Sequence, residues 1–130
     1  MSGGNPRRAR VSQAIKGGLG ELIGAEVKDP RVATAGLLSV THVDLNSDMS
    51  VATVYVSFVG GPEGSGARAI AALDGAAGFL RGPLGRKLGM ARSPSLRFRL
   101  DESGEFHNKL SEIVRDDQRK ASSEDDEGEA

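Results

Sequence analysis

The sequence predicts a single α+β domain with a three-stranded sheet and helices packed on one of its faces. Three observations predict this class. Apolar residues recur at helical spacing near the N-terminus and in the middle of the chain. Three short segments, 36–45, 51–59 and 95–100, are rich in β-forming residues and bounded by turn residues. A length of 130 residues is enough for one domain and not for two.

The first helix is predicted between about residues 7 and 27, where one apolar stripe runs along the segment. The stripe consists of Val11, Ile15, Leu19, Leu22 and Ile23. Four glycines lie within the same segment, and each costs roughly 0.8–1 kcal/mol relative to Ala in a helix interior. This helix must therefore depend on packing rather than on intrinsic propensity. Pro30 ends it, because proline disfavours the α-helical conformation of the residue before it.

Two strands joined by a hairpin are predicted next, at 36–45 and 51–59, with the polar segment 46–48 as the turn between them. The second strand alternates cleanly between apolar and more polar positions. In the first strand, Val40 and Val43 have opposite parity. This indicates either a β-bulge or apolar residues on both faces.

Two further helices are predicted at 67–73 and 79–88, separated by the segment GAAG at 75–78. The spacing G-x-x-G is the one that KH domains use to clamp a nucleic-acid backbone. Here the two middle residues are alanines, which offer no charge to a phosphate and favour a helix. We interpret the segment as a tight kink between helices, so a β-branched residue in place of Gly78 is expected to disturb folding first. Pro83 is predicted to kink or restart the second helix of this pair. The element order is then α-β-β-α-α-β.

The chain is predicted to divide into a flexible N-terminal lead (1–6), one folded domain (7–115) and a disordered acidic tail (116–130). A short helix is predicted at 105–114. The last ten residues contain five acidic side chains and no basic one, and without them 17 Lys and Arg stand against 13 Asp and Glu. A basic body favours a polyanionic partner, although an ordinary domain with a solubilising tail has the same charges.

Composition and motifs exclude several classes of function. Cysteine is absent, which excludes disulfides, thiolate metal sites and cysteine nucleophiles and fits a reducing cytoplasm. We find neither an apolar run of membrane-spanning length nor a signal peptide, so a cytoplasmic protein without a membrane partner is expected. Neither His42 nor His107 belongs to a catalytic motif, and Asp44 and Asp48 flank a turn, where Asp commonly caps backbone amides. We expect no catalytic residue, no metal, no cofactor and no small-molecule substrate.

Basic residues form four groups along the sequence, and these make a phosphate-binding surface if the fold brings them together. The groups are Arg7, Arg8 and Arg10; Lys28 and Arg31; Arg81, Arg86, Lys87 and Arg92; and Arg97 and Arg99. The alternative is an ordinary solvated surface, where most Lys and Arg side chains lie. Tyr55 is the only tyrosine, so contact with the backbone of folded RNA is expected rather than stacking on unpaired bases.

Four segments of the chain resemble the ribosome-binding factor A family and occur in the order of that family. They are "RVSQAIKGGLGELIGAEVKDPRV" (10–32), "VDLNSDMSVATVYVSF" (43–58), "AAGFLRGPLGRKLGMARSPSLRFRLDES" (76–103) and "KLSEIV" (109–114). Together they cover nearly all of residues 7–115. No single motif among them is decisive, but their combination is specific.

The resemblance implies a type II KH-like fold in which an Ala-x-Gly kink, matched by Ala76, Ala77 and Gly78, replaces the G-x-x-G loop. It also implies a non-catalytic bacterial assembly factor that binds the free 30S subunit or its precursor near the neck. Such factors assist late maturation of 16S rRNA, notably at its 5′ end, and support growth after cold shock. A monomer is expected. The family's basic face is matched here by Arg31, Arg81, Arg86, Lys87 and Arg92 as phosphate contacts.

Two other functions stand beside this one. A protein-binding adaptor would use an exposed sheet edge or the acidic tail, and removing residues 116–130 would then abolish its function. A nuclease acting on precursor rRNA is disfavoured, because the sequence has no carboxylate cluster and no catalytic histidine motif.

Overall fold

The computed structural model describes residues 6–101. Within this range the chain forms α1 (Pro6–Glu26), α2 (Pro30–Ala33), β1 (Gly36–Leu45), β2 (Val51–Gly60), α3 (Ser65–Leu88) and β3 (Ser95–Leu100). Residues 1–5 of the predicted lead (1–6), the predicted helix at 105–114 and the predicted tail at 116–130 lie outside the described residues, and Pro6 already belongs to α1. The first and third strands have the bounds that the sequence predicts.

The three strands form one sheet in the order β1-β2-β3, in which β1 is antiparallel to β2 and β2 is parallel to β3. This confirms the α+β class and the three-stranded sheet. The predicted hairpin between β1 and β2 is also confirmed. Its turn is closed by side chains: the Val51 N–H donates to Asn46 Oδ1 at 3.0 Å, and the Ser50 N–H donates to Asp48 Oδ1 at 3.1 Å.

A β-bulge at Thr41 explains the mixed parity of β1. The register shifts between Val40, which lies opposite Val56, and His42, which lies opposite Tyr55. The extra residue returns Val40 and Val43 to the same face of the sheet, although their sequence parity differs. Of the two alternatives that the sequence left open, the bulge is therefore correct.

Both long helices pack on one face of the sheet, as predicted. Each strand alternates, and its inward residues meet the apolar stripes of α1 and α3. The core consists of Ile15, Leu19, Leu22 and Ile23 of α1, Leu73, Leu80 and Leu84 of α3, and Val43, Leu45, Ala52, Val54, Val56, Leu96 and Phe98 of the sheet. The opposite face, which we call the outer sheet face, carries His42, Asp44, Thr53, Tyr55, Arg97 and Arg99.

The two helices predicted on either side of residues 75–78 are one helix. α3 runs without interruption from Ser65 to Leu88, and Ala76, Ala77, Gly78 and Pro83 all lie inside it. The prediction of a break between two helices was therefore wrong. The element order is α-α-β-β-α-β, with the additional short helix near the N-terminus rather than in the middle.

Packing explains why α3 continues. Leu73, Leu80 and Leu84 are fully buried on both sides of the glycine-containing segment. Burying each leucine contributes about 1.5–3 kcal/mol, whereas each glycine costs about 1 kcal/mol. Pro83 cannot donate to the carbonyl of Phe79, so α3 lacks one helical hydrogen bond there, and the burial of the leucines offsets this loss.

We expect Gly78→Ala to raise the free energy of unfolding by about 0.5–1 kcal/mol, because Ala is the better helix former. A Cβ atom at residue 78 would meet nothing within 4 Å. Gly18→Ala is the matched control, because a Cβ atom there would lie 3.2 Å from Lys87 Cε, so the gain should be smaller. Urea unfolding followed by circular dichroism measures both. A loss of stability at Gly78→Ala would contradict the continuous helix and restore the kink.

The short helix α2 was not predicted. Asp29 is its N-cap, with Oδ1 accepting from the Arg31 N–H at 2.8 Å, and Pro30 occupies the first helical position. The Asp-Pro pair thus begins α2, whereas α1 has already ended at Glu26. Aspartate at the cap and proline just after it are the usual start signals of a helix, so the sequence contained this information.

Candidate nucleic-acid interface

α1 and α3 pack against each other as well as against the sheet. Near the start of α1, Arg8 lines a shallow pocket together with Leu45 and Asn46, at the turn between β1 and β2. The end of α3 leads into β3, whose Ser95 N–H donates to the Ser50 carbonyl of the same turn at 2.9 Å. The end of α3 contacts the second half of α1: Lys87 Nζ lies 3.1 Å from Glu21 Oε1, and a Cβ atom at Gly18 would lie 3.6 Å from Leu88 Cδ2. Arg7, Arg8 and Arg10 lie in the first turns of α1, about two turns or more before this contact. Arg86 and Lys87 lie in the last turn of α3, and Arg92 lies in the loop that follows it.

The last turns of α3 and the loop that follows them enclose an open cleft of about 710 Å³. We call it the arginine cleft, because Arg81, Arg86 and Arg92 line it. None of the described residues that line it is acidic. Gly82 and Gly85 also line the cleft, and because they have no side chains, they leave its floor open. Three guanidinium groups around one depression match the charge and the hydrogen-bonding geometry of a phosphate.

The loop that forms one wall of the arginine cleft is held by Arg81 and Ser93. Arg81 Nη2 donates to the Ser93 carbonyl at 3.0 Å, and Ser93 Oγ donates to the Arg81 carbonyl at 2.8 Å. Gly89 ends α3 in the left-handed conformation with φ of 68°. Arg81 therefore has a structural role in addition to its charge, whereas Arg86 and Arg92 project from exposed positions on the rim.

Lys87 points to α1 and contributes less to the cleft. Its Nζ lies 3.1 Å from Glu21 Oε1, which offsets its charge. A Cβ atom at Gly18 would lie 3.2 Å from Lys87 Cε, so the small residue in α1 leaves room for the lysine stem between the two helices. These contacts indicate that Lys87 mainly stabilises the packing of α3 against α1. The last turn of α3 is also where a cation is favourable for the helix dipole.

Lys28 and Arg31 flank Asp29 and Pro30 at the start of α2. Ala35, just after α2, contacts Gly61 near the start of α3, far along the helix from the arginine cleft. Arg31 donates to both carboxylate oxygens of Asp29, from Nε at 3.1 Å and from Nη2 at 2.9 Å. Hydrogen bonds from the Arg31 side chain and backbone lower the pKa of Asp29, so this pair stays ionised at neutral pH. The carboxylate therefore offsets much of the Arg31 charge.

Arg97 and Arg99 lie on the outer sheet face, away from both helices. Their register partners in β2 are Thr53 and Tyr55. The four basic groups of the sequence therefore do not converge on one surface. Arg7, Arg8 and Arg10 lie in the first turns of α1, three of the four residues of the third group line the arginine cleft, Lys28 and Arg31 lie around the start of α2, and Arg97 and Arg99 lie on the outer sheet face.

Tyr55 and His42 are site candidates that sequence reasoning missed. Their ring centroids are 5.8 Å apart on the outer sheet face, at an interplanar angle of 42°. Burial lowers the pKa of His42, with nearby Lys16 acting in the same direction, so the imidazole is neutral at pH 7. Strand alternation places Tyr55 on the outward side, but only the register shows that His42 and Arg99 flank it.

Other kinds of site were searched for in residues 6–101. This part of the chain contains no cluster of three or more His, Asp or Glu side chains that could hold a metal ion. Neither α1 nor α3, nor any other helix between residues 6 and 101, combines the length and apolar character needed to cross a membrane.

Comparison with known proteins gives one consistent family. The profile of the family described as "Ribosome-binding factor A" matches residues 7–114. A ribosome-binding factor A from Thiobacillus denitrificans is 41% identical over 109 residues, which is 84% of this chain and 85% of that relative.

Solved structures agree with this comparison. One match is the crystal structure of ribosome-binding factor A from Thermus thermophilus, with a TM-score of 0.57 and a sequence identity of 35%. The match covers 72% of this chain and 94% of the Thermus thermophilus chain. A homology model of the Thermus thermophilus factor, fitted into a cryo-electron-microscopy map of a complex with the 30S subunit, is 37% identical. Its TM-score is 0.56, and the match covers 71% of this chain and 92% of that one.

Proposed function

Because this chain belongs to the ribosome-binding factor A family, we propose that it binds the free 30S ribosomal subunit, or its precursor, through rRNA. The observation that carries the proposal is the arginine cleft, a concave surface with three guanidinium groups on a chain whose family is named for binding ribosomes. A relative of known structure has been fitted into a 30S complex, which supports the small subunit as the partner.

We further propose the finer role that the family resemblance implies. The protein assists late maturation of 16S rRNA, including its 5′ end, and supports growth in the cold. It acts in the cytoplasm as a monomer, without a cofactor and without catalysing a reaction. The fold is a variant of the type II KH-like arrangement in which one uninterrupted helix, α3, stands where two helices are expected.

Contact through the RNA backbone follows from the chemistry of the cleft. Arg86 and Arg92 lie on its exposed rim, and no acidic residue among those described lines it. Such a site binds phosphates regardless of base, so specificity must come from the shape of the folded rRNA.

We expect Arg86→Glu to weaken binding to purified small subunits at least about tenfold and to lower the slope of log K against log salt by about 1 or more. The substitution removes one phosphate contact and adds a repulsive charge. Co-sedimentation at several salt concentrations measures both quantities.

Arg68→Glu is the matched control, because it makes the same charge change at an exposed position near the other end of α3. Its affinity should stay within about twofold of the wild type, since a lone distant charge is largely screened. Circular dichroism verifies that both variants fold. Equal losses in the two variants, or binding to large subunits alone, would contradict the proposed site or the proposed partner respectively.

A further inference from the structure

Two aromatic rings and a guanidinium group lie side by side across the outer sheet face. The register places Tyr55 of β2 directly between His42 of β1 and Arg99 of β3. The His42 and Tyr55 ring centroids are 5.8 Å apart. One residue pair further along the sheet, Arg97 lies opposite Thr53. Together these side chains form a row of flat groups with two positive charges at one edge.

The sheet holds this row in place. Tyr55 and His42 are half-buried, whereas Arg97 and Arg99 are exposed. Arg99 Nη1 donates to the Phe98 carbonyl of its own strand at 3.1 Å, which keeps the guanidinium group close to the sheet. Tyr55 and Arg99 lie on the face opposite the core that α1 and α3 form with the sheet, whereas His42, in the edge strand β1, lines a pocket with Arg8 and Ser12 of α1. A rigid strand scaffold positions flat groups at lower entropic cost than a loop does.

We propose that the outer sheet face binds unpaired RNA by stacking bases on Tyr55, His42 and Arg99. Aromatic side chains on a sheet surface stack splayed bases in other RNA-binding domains, and an arginine plane stacks in the same way. Arg97 and Arg99 supply the positive charge for the backbone of the stacked strand. The proposal rests on the proposed binding to rRNA and names a second, separate surface for it.

The chemistry of the row favours an unpaired strand over a duplex. In an RNA duplex the base faces are stacked on each other, so flat side chains gain little from it. The face also carries Asp44, in the row of Thr53 and Arg97, which repels a phosphate at that edge. Bound RNA is therefore expected on the Tyr55–Arg99 side. The arginine cleft lies on the helix side of the sheet, so the two surfaces can hold two RNA segments at once.

Tyr55 provides its own probe, because the chain has one tyrosine and no tryptophan. Single-stranded oligouridylate of about eight nucleotides, within the usual site size for single-strand binders, is titrated into the full-length protein. We expect saturable quenching of tyrosine emission by this strand. A duplex RNA at the same phosphate concentration should give little quenching.

Variants separate stacking from charge. With a labelled oligouridylate, Tyr55→Phe keeps the ring and should bind within about twofold of the wild type, whereas Tyr55→Thr should bind about tenfold more weakly or worse. Thr retains β-sheet propensity, and circular dichroism checks the fold. Arg99→Gln should also weaken binding. Arg68→Glu, at an exposed position of α3 outside both proposed surfaces, should leave Tyr55 quenching unchanged.

The outcomes distinguish the two proposals. Equal affinity of folded Tyr55→Thr and wild type, or quenching by duplex as strong as by single strand, overturns the stacking surface. Wild-type binding to small subunits with no quenching by oligouridylate overturns the stacking surface and leaves the proposed function intact. Quenching together with no binding to small subunits supports the stacking surface and overturns the proposed function.

Discussion

Phe98→Ala is expected to lower the free energy of unfolding by about 3–5 kcal/mol, a large part of the stability of a domain of this size. Phe98 is fully buried and is the largest side chain buried to that degree among the described residues. Its removal leaves a cavity between the sheet and the helices. Urea unfolding at equilibrium measures the loss.

The chain contains its own control for this prediction. Phe79→Ala deletes the same atoms from a residue that is 60% exposed on α3, and we expect a change of less than about 0.5 kcal/mol. Similar losses in the two variants would show that residues 98 and 79 have similar burial in solution. This result would contradict the burial of Phe98 of β3 between the sheet and the helices.

Gly36→Ala is expected to cost about 3–5 kcal/mol. Gly36 begins β1 with φ of 109°, which side chains other than glycine rarely adopt, and a Cβ atom there would overlap the Val59 carbonyl oxygen and lie 2.7 Å from the Gly61 nitrogen. Both contacts are with backbone atoms of the neighbouring chain segment, so a rotamer change cannot relieve them. The sheet must open at this end instead.

Gly60→Ala separates strain from overlap. Gly60 is the register partner of Gly36 and also has a positive φ, of 97°, but a Cβ atom there would meet nothing within 4 Å. We expect about 1–2 kcal/mol, the cost of the backbone conformation alone. Thermal or urea unfolding of both variants tests the difference. Equal costs would mean that the close approach at Gly36 is absent in solution.

The strands show which features of the fold the local sequence pattern can predict. β2 alternates between buried and less buried residues from Val51 to Val56, and the predicted bounds of β1 and β3 are confirmed. In β1 the sequence signalled an irregularity, through the parity of Val40 and Val43, but could not say what it was. Only the register with β2 shows the bulge at Thr41.

The middle of the chain shows where local pattern fails. Gly78 and Pro83 are helix breakers by propensity, and both lie inside α3. Propensity differences of about 1 kcal/mol per glycine are smaller than the gain from burying leucines on either side. Those leucines are buried by a sheet formed from distant parts of the sequence, so no local window contains the deciding energy.

The basic residues show the same limit at the level of the site. The sequence identified Arg81, Arg86 and Arg92 as candidate phosphate contacts, and the structure places all three around one cleft. It could not show that Arg31 is paired with Asp29. It also could not show that Arg99 stands beside Tyr55, because residues 44 positions apart meet only through strand pairing.

By itself, therefore, the sequence determined the family, the three strands, the first helix and the basic character of the candidate surface. The family follows from the resemblance of four segments of the chain. The strands, the first helix and the basic character follow from residue type and from periods of two and 3.6, which are properties of neighbouring residues. Tertiary structure alone decided the continuity of α3, the separation of the basic groups and the row of His42, Tyr55 and Arg99. The physical reason is that burial and strand register depend on residues far apart in the chain, whose contacts outweigh local preference.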